Sequence, residues 1–139
     1  CSKSDDKFGL RELIEETFEL YREREHKKLV LNTNIQSSYP SYSNYFMMSL
    51  LLPILSNAVT ASSENTTVEL IESKGVVKIS NTYVDDVDID KMEVDGYSSK
   101  PEHYGLGLYT VRHLLSTRKL GKLKCYKQNN RVYFEIPIK

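Results

Sequence analysis

Apolar positions recur at helical spacing near the start of the chain. Leu10, Leu13, Ile14, Phe18 and Tyr21 repeat at intervals of three and four, with Glu and Arg between them. One side of this segment is therefore apolar and the other charged, which predicts a first helix from about Gly9 to His26. Lys28 to Ile35 is rich in leucine and β-branched residues and predicts a strand. Ser37 to Ser43 holds Pro40 and several hydroxyls, so it reads as a loop, with Ser43 or Asn44 placed to cap the next element. Met47, Leu50, Leu51, Ile54, Leu55 and Ala58 mark one face of a second helix, from about Asn44 to Ser62. Pro53 lies inside it. An interior proline removes a backbone bond and costs about 3 kcal/mol. The apolar pattern continues on both sides, which predicts a kink; the alternative is a helix restarting at Pro53.

Beyond the second helix the pattern changes. Thr66 to Glu72 and Val76 to Asn81 read as a hairpin through Ser73-Lys74-Gly75. Thr82 to Tyr104 has little periodicity and much charge. A loop of that length inside a compact domain is usually functional or mobile, and it is expected to act as a lid. Gly105-Leu106-Gly107 opens a third helix, with Leu106, Val111, Leu114 and Leu115 on one side and an end near Ser116 or Thr117. Lys122 to Lys127 and Arg131 to Ile138 form a final hairpin through Gln128-Asn129-Asn130, with Val132, Phe134 and Ile136 alternating. Helix, strand, helix, hairpin, loop, helix, hairpin is satisfied by an α/β chain of the α+β sandwich class. Its sheet is mixed and mostly antiparallel, with about three helices on one face.

Composition narrows the function classes. The 139 residues suit a single domain, 1–139. Lys plus Arg is 19 and Asp plus Glu is 19, so the formal net charge is zero. That disfavours nucleic acid as the main partner, because phosphate backbones select basic surfaces. Cys1 and Cys125 make neither a disulfide nor a metal spacing and read as free thiols in a reducing compartment. No signal peptide is visible. The longest apolar run, Phe46 to Leu55, is shorter than the roughly 20 residues of a membrane span, so this segment is not expected to insert directly. The start at Cys1 rather than Met leads us to expect an excised piece of a longer protein.

The candidate chemistry begins at Gly105 and Gly107. A helix N-terminus presents unpaired N–H groups and partial positive charge. Glycines there let a ligand approach the backbone, which suits phosphate; taken alone, the same pair also makes an ordinary tight turn. The acidic run Asp85, Asp86, Asp88 and Asp90 lacks the glycine and closing glutamate of a calcium loop. His26, His103 and His113 form no cluster in the sequence.

Two further stretches carry a resemblance. Leu51-Leu52-Pro53-Ile54-Leu55-Ser56-Asn57-Ala58-Val59-Thr60-Ala61-Ser62 resembles the N-box helix of the GHKL ATPases, which include histidine kinases, Hsp90, gyrase B and MutL. Gly96-Tyr97-Ser98-Ser99-Lys100 resembles the G-x-S-T-K segment of sensor kinases that answer peptide pheromones, the AgrC/ComD-like group. Asn57, Lys100, Gly105 and Gly107 come in the family's order, and the resemblance runs from about Phe8 to Ile138. It implies the Bergerat-type ATP-binding fold and a function as the catalytic domain of a bacterial sensor histidine kinase. Such a domain binds Mg·ATP and passes the γ-phosphoryl group to a histidine on a separate dimerisation helix.

The same resemblance implies roles for residues. Asn57 would ligate Mg²⁺, which favours oxygen donors and often takes only one or two protein groups. Lys100 would neutralise charge on the phosphates, with Ser98 and Ser99 adding hydroxyl donors. Gly105, Leu106, Gly107 and Leu108 would form the phosphate-facing turn. Asn81 stands where relatives carry the aspartate that accepts a hydrogen bond from adenine. Its side-chain oxygen can accept that bond, less strongly than a carboxylate; a plain strand-end asparagine is the alternative. The family's Asp-x-Gly-x-Gly is absent here. Pro53 and Ser56 replace positions that are acidic or amide-bearing in some relatives, so the helix offers no general base for water, which fits a kinase better than a hydrolase. The implied partners are the chain's own upstream dimerisation and phosphoacceptor helix domain and a downstream response regulator. The implied location is the cytoplasmic side of a bacterial membrane receptor. Two alternatives stay open: a catalytically degenerate nucleotide-sensing or scaffold domain, and an anti-sigma-factor serine kinase of the same fold.

Overall fold

In the computed structural model the described residues are 9–83 and 105–139. Helix α1 spans Leu10–Arg24, strand β1 Leu29–Thr33, helix α2 Asn44–Ala61, β2 Thr66–Ser73 and β3 Val76–Thr82. Helix α3 spans Gly105–Thr117, and β4 and β5 are Lys124–Gln128 and Arg131–Pro137. Each expected helix and strand is present within a few residues of its expected bounds. The strands form one sheet in the order β1-β2-β3-β5-β4. β1 runs parallel to β2, and every other neighbouring pair is antiparallel.

Alternation along the strands assigns the two faces of the sheet. Val68, Leu70, Val77, Ile79, Val132, Phe134 and Ile136 are buried on the side that packs against the helices. α2 is the central helix, in contact with α1, α3 and β3. It is buried on most of its circumference, which is why its apolar positions overflow a single stripe. By length and composition α2 is apolar enough to cross a membrane, but 56% of it is buried inside this fold.

Both turn loops obey local rules. Lys74 and Gly75, with φ of 53° and 81°, close the first hairpin, and Asn129 and Asn130, with φ of 53° and 65°, close the second. Positive φ at both central residues matches the right-handed strand twist, and asparagine and glycine tolerate it best. The two loops are shorter by one residue than expected because Ser73 and Gln128 extend their strands.

The helix ends are tied by specific bonds. Ser43 accepts the Phe46 N–H on its Oγ at 3.0 Å and caps α2. Helix α1 ends with His26 at φ 56°, and the Lys27 N–H donates to Arg22 O at 3.0 Å. Helix α3 ends the same way, with Lys119 at φ 56° and the Leu120 N–H donating to Leu115 O at 3.0 Å. Both are Schellman ends whose left-handed residue is not glycine, at a cost of about 1 kcal/mol each.

The face away from the helices carries polar and aromatic side chains. Arg131 on β5 donates from Nη2 to Thr67 O at 2.8 Å and Ser80 O at 3.0 Å, which joins three strands through one guanidinium. Tyr126 stacks on Tyr133 with ring centroids 5.1 Å apart and donates its hydroxyl to Glu135 Oε2 at 2.6 Å. Burial, with help from the Glu135 carboxylate, pushes the Tyr126 phenol from its ordinary 10.0 up to about 12.

Candidate functional site

Helix α2 runs through Pro53 without a break, so the restart is excluded. The carbonyl that loses its partner belongs to Ser49, one turn earlier. Ser49 and Pro53 both line an open groove of about 590 Å³, where water can reach the freed group. Pro53 and Asn57 lie four residues apart and therefore share one face of the helix.

That face meets the start of α3. A Cβ added at Gly107 would sit 3.3 Å from Pro53 Cβ and 4.0 Å from Asn57 Nδ2. The absence of a side chain at Gly107 thus lets the first turn of α3 close onto α2 beside Asn57. This contact joins three positions that are separate in the sequence. Pro53 is part of it, although in the sequence it reads only as a conflict with the helix. The four-residue interval to Asn57 was the available signal, but no sequence pattern says that Gly107 lands on it.

Asn57 is only 2% exposed. Its Nδ2 is buried with no hydrogen-bond partner among the described residues. A buried amide donor left unpaired costs about 1–3 kcal/mol, and folded proteins rarely keep one without a use for it. The two ends of an amide exchange by a half-turn, so this position offers either a donor or an acceptor to a ligand.

Asn81, on β3, follows Val77 and Ile79 on the face toward the helices and is 2% exposed. Its Nδ2 donates to Thr82 O, which fixes the orientation of the amide. The end of β3 is held beside the end of α2: the Ser63 N–H donates to Thr82 Oγ1 at 3.1 Å, and Thr66 Oγ1 meets the same hydroxyl at 3.1 Å. Asn57 and Asn81 therefore lie on elements whose C-terminal ends converge. Leu108, one of the expected turn residues, is 1% exposed with its side chain in the core. Any ligand contact at that position falls to its backbone. Gly105 and Leu106 open α3 as expected. Ser98, Ser99, Lys100, the acidic run and the expected lid from residue 84 onward lie outside the described residues; Thr82, expected to begin the lid, ends β3 instead.

The end of α2 is secured by a residue to which sequence reasoning assigned no role. Lys27 Nζ donates to Val59 O at 3.0 Å, Thr60 O at 2.6 Å and Ser62 O at 2.8 Å. One ammonium thus satisfies two orphan carbonyls in the last turn of the helix that carries Asn57, and that of Ser62 just beyond it. No groups of three or more potential metal-binding His, Cys, Asp or Glu side chains occur among the described residues.

Neither a protein-family profile nor any curated protein sequence matches the chain. Solved structures do. The chain is similar to the Acinetobacter baumannii histidine kinase AdeS at 17% identity and a TM-score of 0.65, over 95% of this chain and 66% of that one. It is thus just under two thirds of that chain's length. The catalytic domain of histidine kinase ThkA, in a nucleotide-free form, matches at 22% identity and a TM-score of 0.66, over 94% of this chain and 93% of that one. The mycobacterial sensor histidine kinase MprB matches at 16% identity and a TM-score of 0.61, over 93% and 94% of the two chains. The mixed five-stranded sheet under three helices is the fold of histidine kinase ATPase domains.

Proposed function

We propose that this domain binds Mg·ATP and supports transfer of the γ-phosphoryl group to a histidine on a separate dimerisation helix, as the catalytic domain of a two-component sensor kinase. The observation that carries the reading is the buried, unpartnered amide of Asn57 held against Gly107 at the start of α3. The residues fit the implied ion and nucleotide. Asn57 supplies an amide oxygen on a rigid helix, the donor type that Mg²⁺ prefers, and when bound the ion would offset the charge of the phosphates. The first turn of α3 brings backbone N–H groups and positive dipole to the same place, with Gly107 leaving room. Asn81 presents its oxygen for the adenine amino group while its Nδ2 is held by Thr82 O. Ser99 and Lys100 join the phosphate side on the strength of their resemblance to the family segment. The helix itself offers no general base beside Asn57, since the neighbouring positions are Pro53 and Ser56. The chain's contribution is therefore positioning and charge, which is what phosphoryl transfer mainly needs.

The Gly96–Lys100 segment supports the peptide-pheromone receptor group. The wider reading assigns the domain to the cytoplasmic side of a membrane receptor, with a response regulator downstream. With asparagine in place of aspartate at position 81, affinity for Mg·ATP should lie at tens to hundreds of micromolar, about −5 to −6 kcal/mol.

Asn57 provides the test. Calorimetry on the 139-residue chain should show weak Mg·ATP binding that Asn57→Ala abolishes without lowering the melting temperature. Asn57→Asp should keep Mg²⁺ dependence but weaken nucleotide binding by repelling the phosphates. In a longer form carrying the histidine-bearing helix, Asn57→Ala should stop phosphotransfer. Unchanged binding and transfer in Asn57→Ala would sink the placement of the nucleotide. Binding in the parent without transfer would point instead to a degenerate nucleotide-sensing domain.

A further inference from the structure

A second concavity lies away from the Asn57–Gly107 contact. It has a volume of about 650 Å³ and is lined by Arg112, Leu115, Ser116, Lys119, Lys122 and Leu123, with Gly121 at its edge. Leu115 is eight residues beyond Gly107, roughly 12 Å further along α3. Leu115 is buried beneath it and Leu123 is 8% exposed, so the apolar part of the lining comes mostly from the aliphatic stems of its cationic side chains, with the edge of Leu123. Among the described residues no carboxylate lines it and no salt bridge engages Lys119 or Lys122. Arg118, the other cation at this end of the helix, is turned away and lies over the Phe46 ring at 4.2 Å.

The sequence around the pocket is strongly one-signed. Gly105 to Phe134 contains no Asp or Glu, while Arg and Lys recur throughout it. The chain's zero net charge therefore conceals a basic stretch of sequence. Part of that charge is explained locally, since cations are favourable at a helix C-terminus. The placement of Lys119 is not: at φ 56° glycine would be the cheaper residue.

We propose that this pocket docks an acidic protein segment bearing an apolar side chain, with the apolar group against Leu123 and the aliphatic stems of the lining and its carboxylates toward Lys119 and Lys122. The charge of the rim calls for carboxylates or phosphates. The apolar part of the lining favours an acidic segment over a small inorganic anion, which would leave it unfilled. Such a site adds specificity and encounter rate through charge and residence through the anchor. It does not depend on the ATP reading, because it uses neither Asn57 nor the start of α3.

The test is fluorescence anisotropy on the 139-residue chain with a labelled peptide carrying a central Leu-Phe pair flanked by glutamates. The peptide should bind at low salt and weaken as salt rises. Lys122→Glu should lower affinity by about tenfold or more. Lys119→Gly should also lower it, while melting no lower than the parent because glycine suits the left-handed position. A peptide with Ser-Ser at its centre should bind about tenfold more weakly, reflecting loss of the apolar anchor. Equal binding by the two peptides, or unchanged affinity in both lysine variants, would overturn the proposal. So would displacement of the peptide by low-millimolar inorganic phosphate, which would mark a small-anion site. The exposed Leu20 among glutamates on α1 has the same chemistry as the probe. Self-association that the peptide competes away would assign the pocket to a second copy and overturn the separate partner.

Discussion

Replacing Lys27 with methionine tests how the helix carrying Asn57 is held. The substitution keeps an unbranched apolar stem and removes the ammonium. Three carbonyls lose their donor: Val59 O, Thr60 O and Ser62 O, now bonded at 3.0, 2.6 and 2.8 Å. A hydrogen bond involving a charged group is worth about 1.5–3 kcal/mol, but three bonds to one ammonium do not add. The carbonyls are part-buried, so water recovers some of the loss. The favourable interaction with the helix dipole, about 0.3–1 kcal/mol, disappears as well. The expected net cost is about 3 kcal/mol. For a chain of this size that corresponds to a fall in Tm of about 10 °C. Lys27→Arg should recover only part of the loss, because a planar guanidinium fork does not match three converging carbonyls as an ammonium does. Differential scanning calorimetry and urea unfolding would measure both variants. Under the proposed function, Lys27→Met should also weaken Mg·ATP binding, since Asn57 lies in the penultimate turn of the helix that loses its anchor. A fall of less than about 2 °C would refute the reasoning and show that solvent already satisfies these carbonyls.

Two further outcomes can be checked. Gly107→Ala should leave Tm within a few degrees of the parent, because a gain of about 1 kcal/mol in helix propensity offsets the squeeze on Pro53, and it should reduce nucleotide affinity in calorimetry. Raising the Tyr126 pKa from 10.0 to about 12 favours the folded state only while the phenol is protonated. That contribution is complete below about pH 10 and is lost as pH rises toward 12. Tyr126→Phe should therefore flatten the alkaline limb of the stability profile, with phenolate absorbance reporting the titration in the parent; an unchanged limb would refute the assignment.

Much of the fold was legible along the chain because it is written in local rules. Periods of 3.6 and 2 marked the helices and strands, Ser43 or Asn44 was marked as a cap, and Ser73-Lys74-Gly75 and Gln128-Asn129-Asn130 were marked as turns. The layer arrangement followed, because three helices with apolar faces and five strands have few ways to bury those faces. The resemblance of Leu51–Ser62 and of the glycine turn to known motifs pointed to the same architecture. The helix ends at His26 and Lys119 were less legible, since their left-handed residues are not glycine and the stop is enforced by bonds to carbonyls five residues back.

Only the tertiary structure decided how the candidate site is assembled. That Gly107 touches Pro53 and Asn57 depends on the docking of α3 onto α2 across more than forty residues of intervening chain, and no periodicity encodes that distance. Pro53 looked like a fault in a helix; it is tolerated because Ser49 faces an open groove, and exposure is a property of the fold. Lys27 looked like one of many surface lysines, yet its ammonium converges on three carbonyls more than thirty residues away. Local order follows from bonds within a few residues, which composition and spacing record. Burial and convergence follow from which surfaces meet, and that is set only once the whole core has closed.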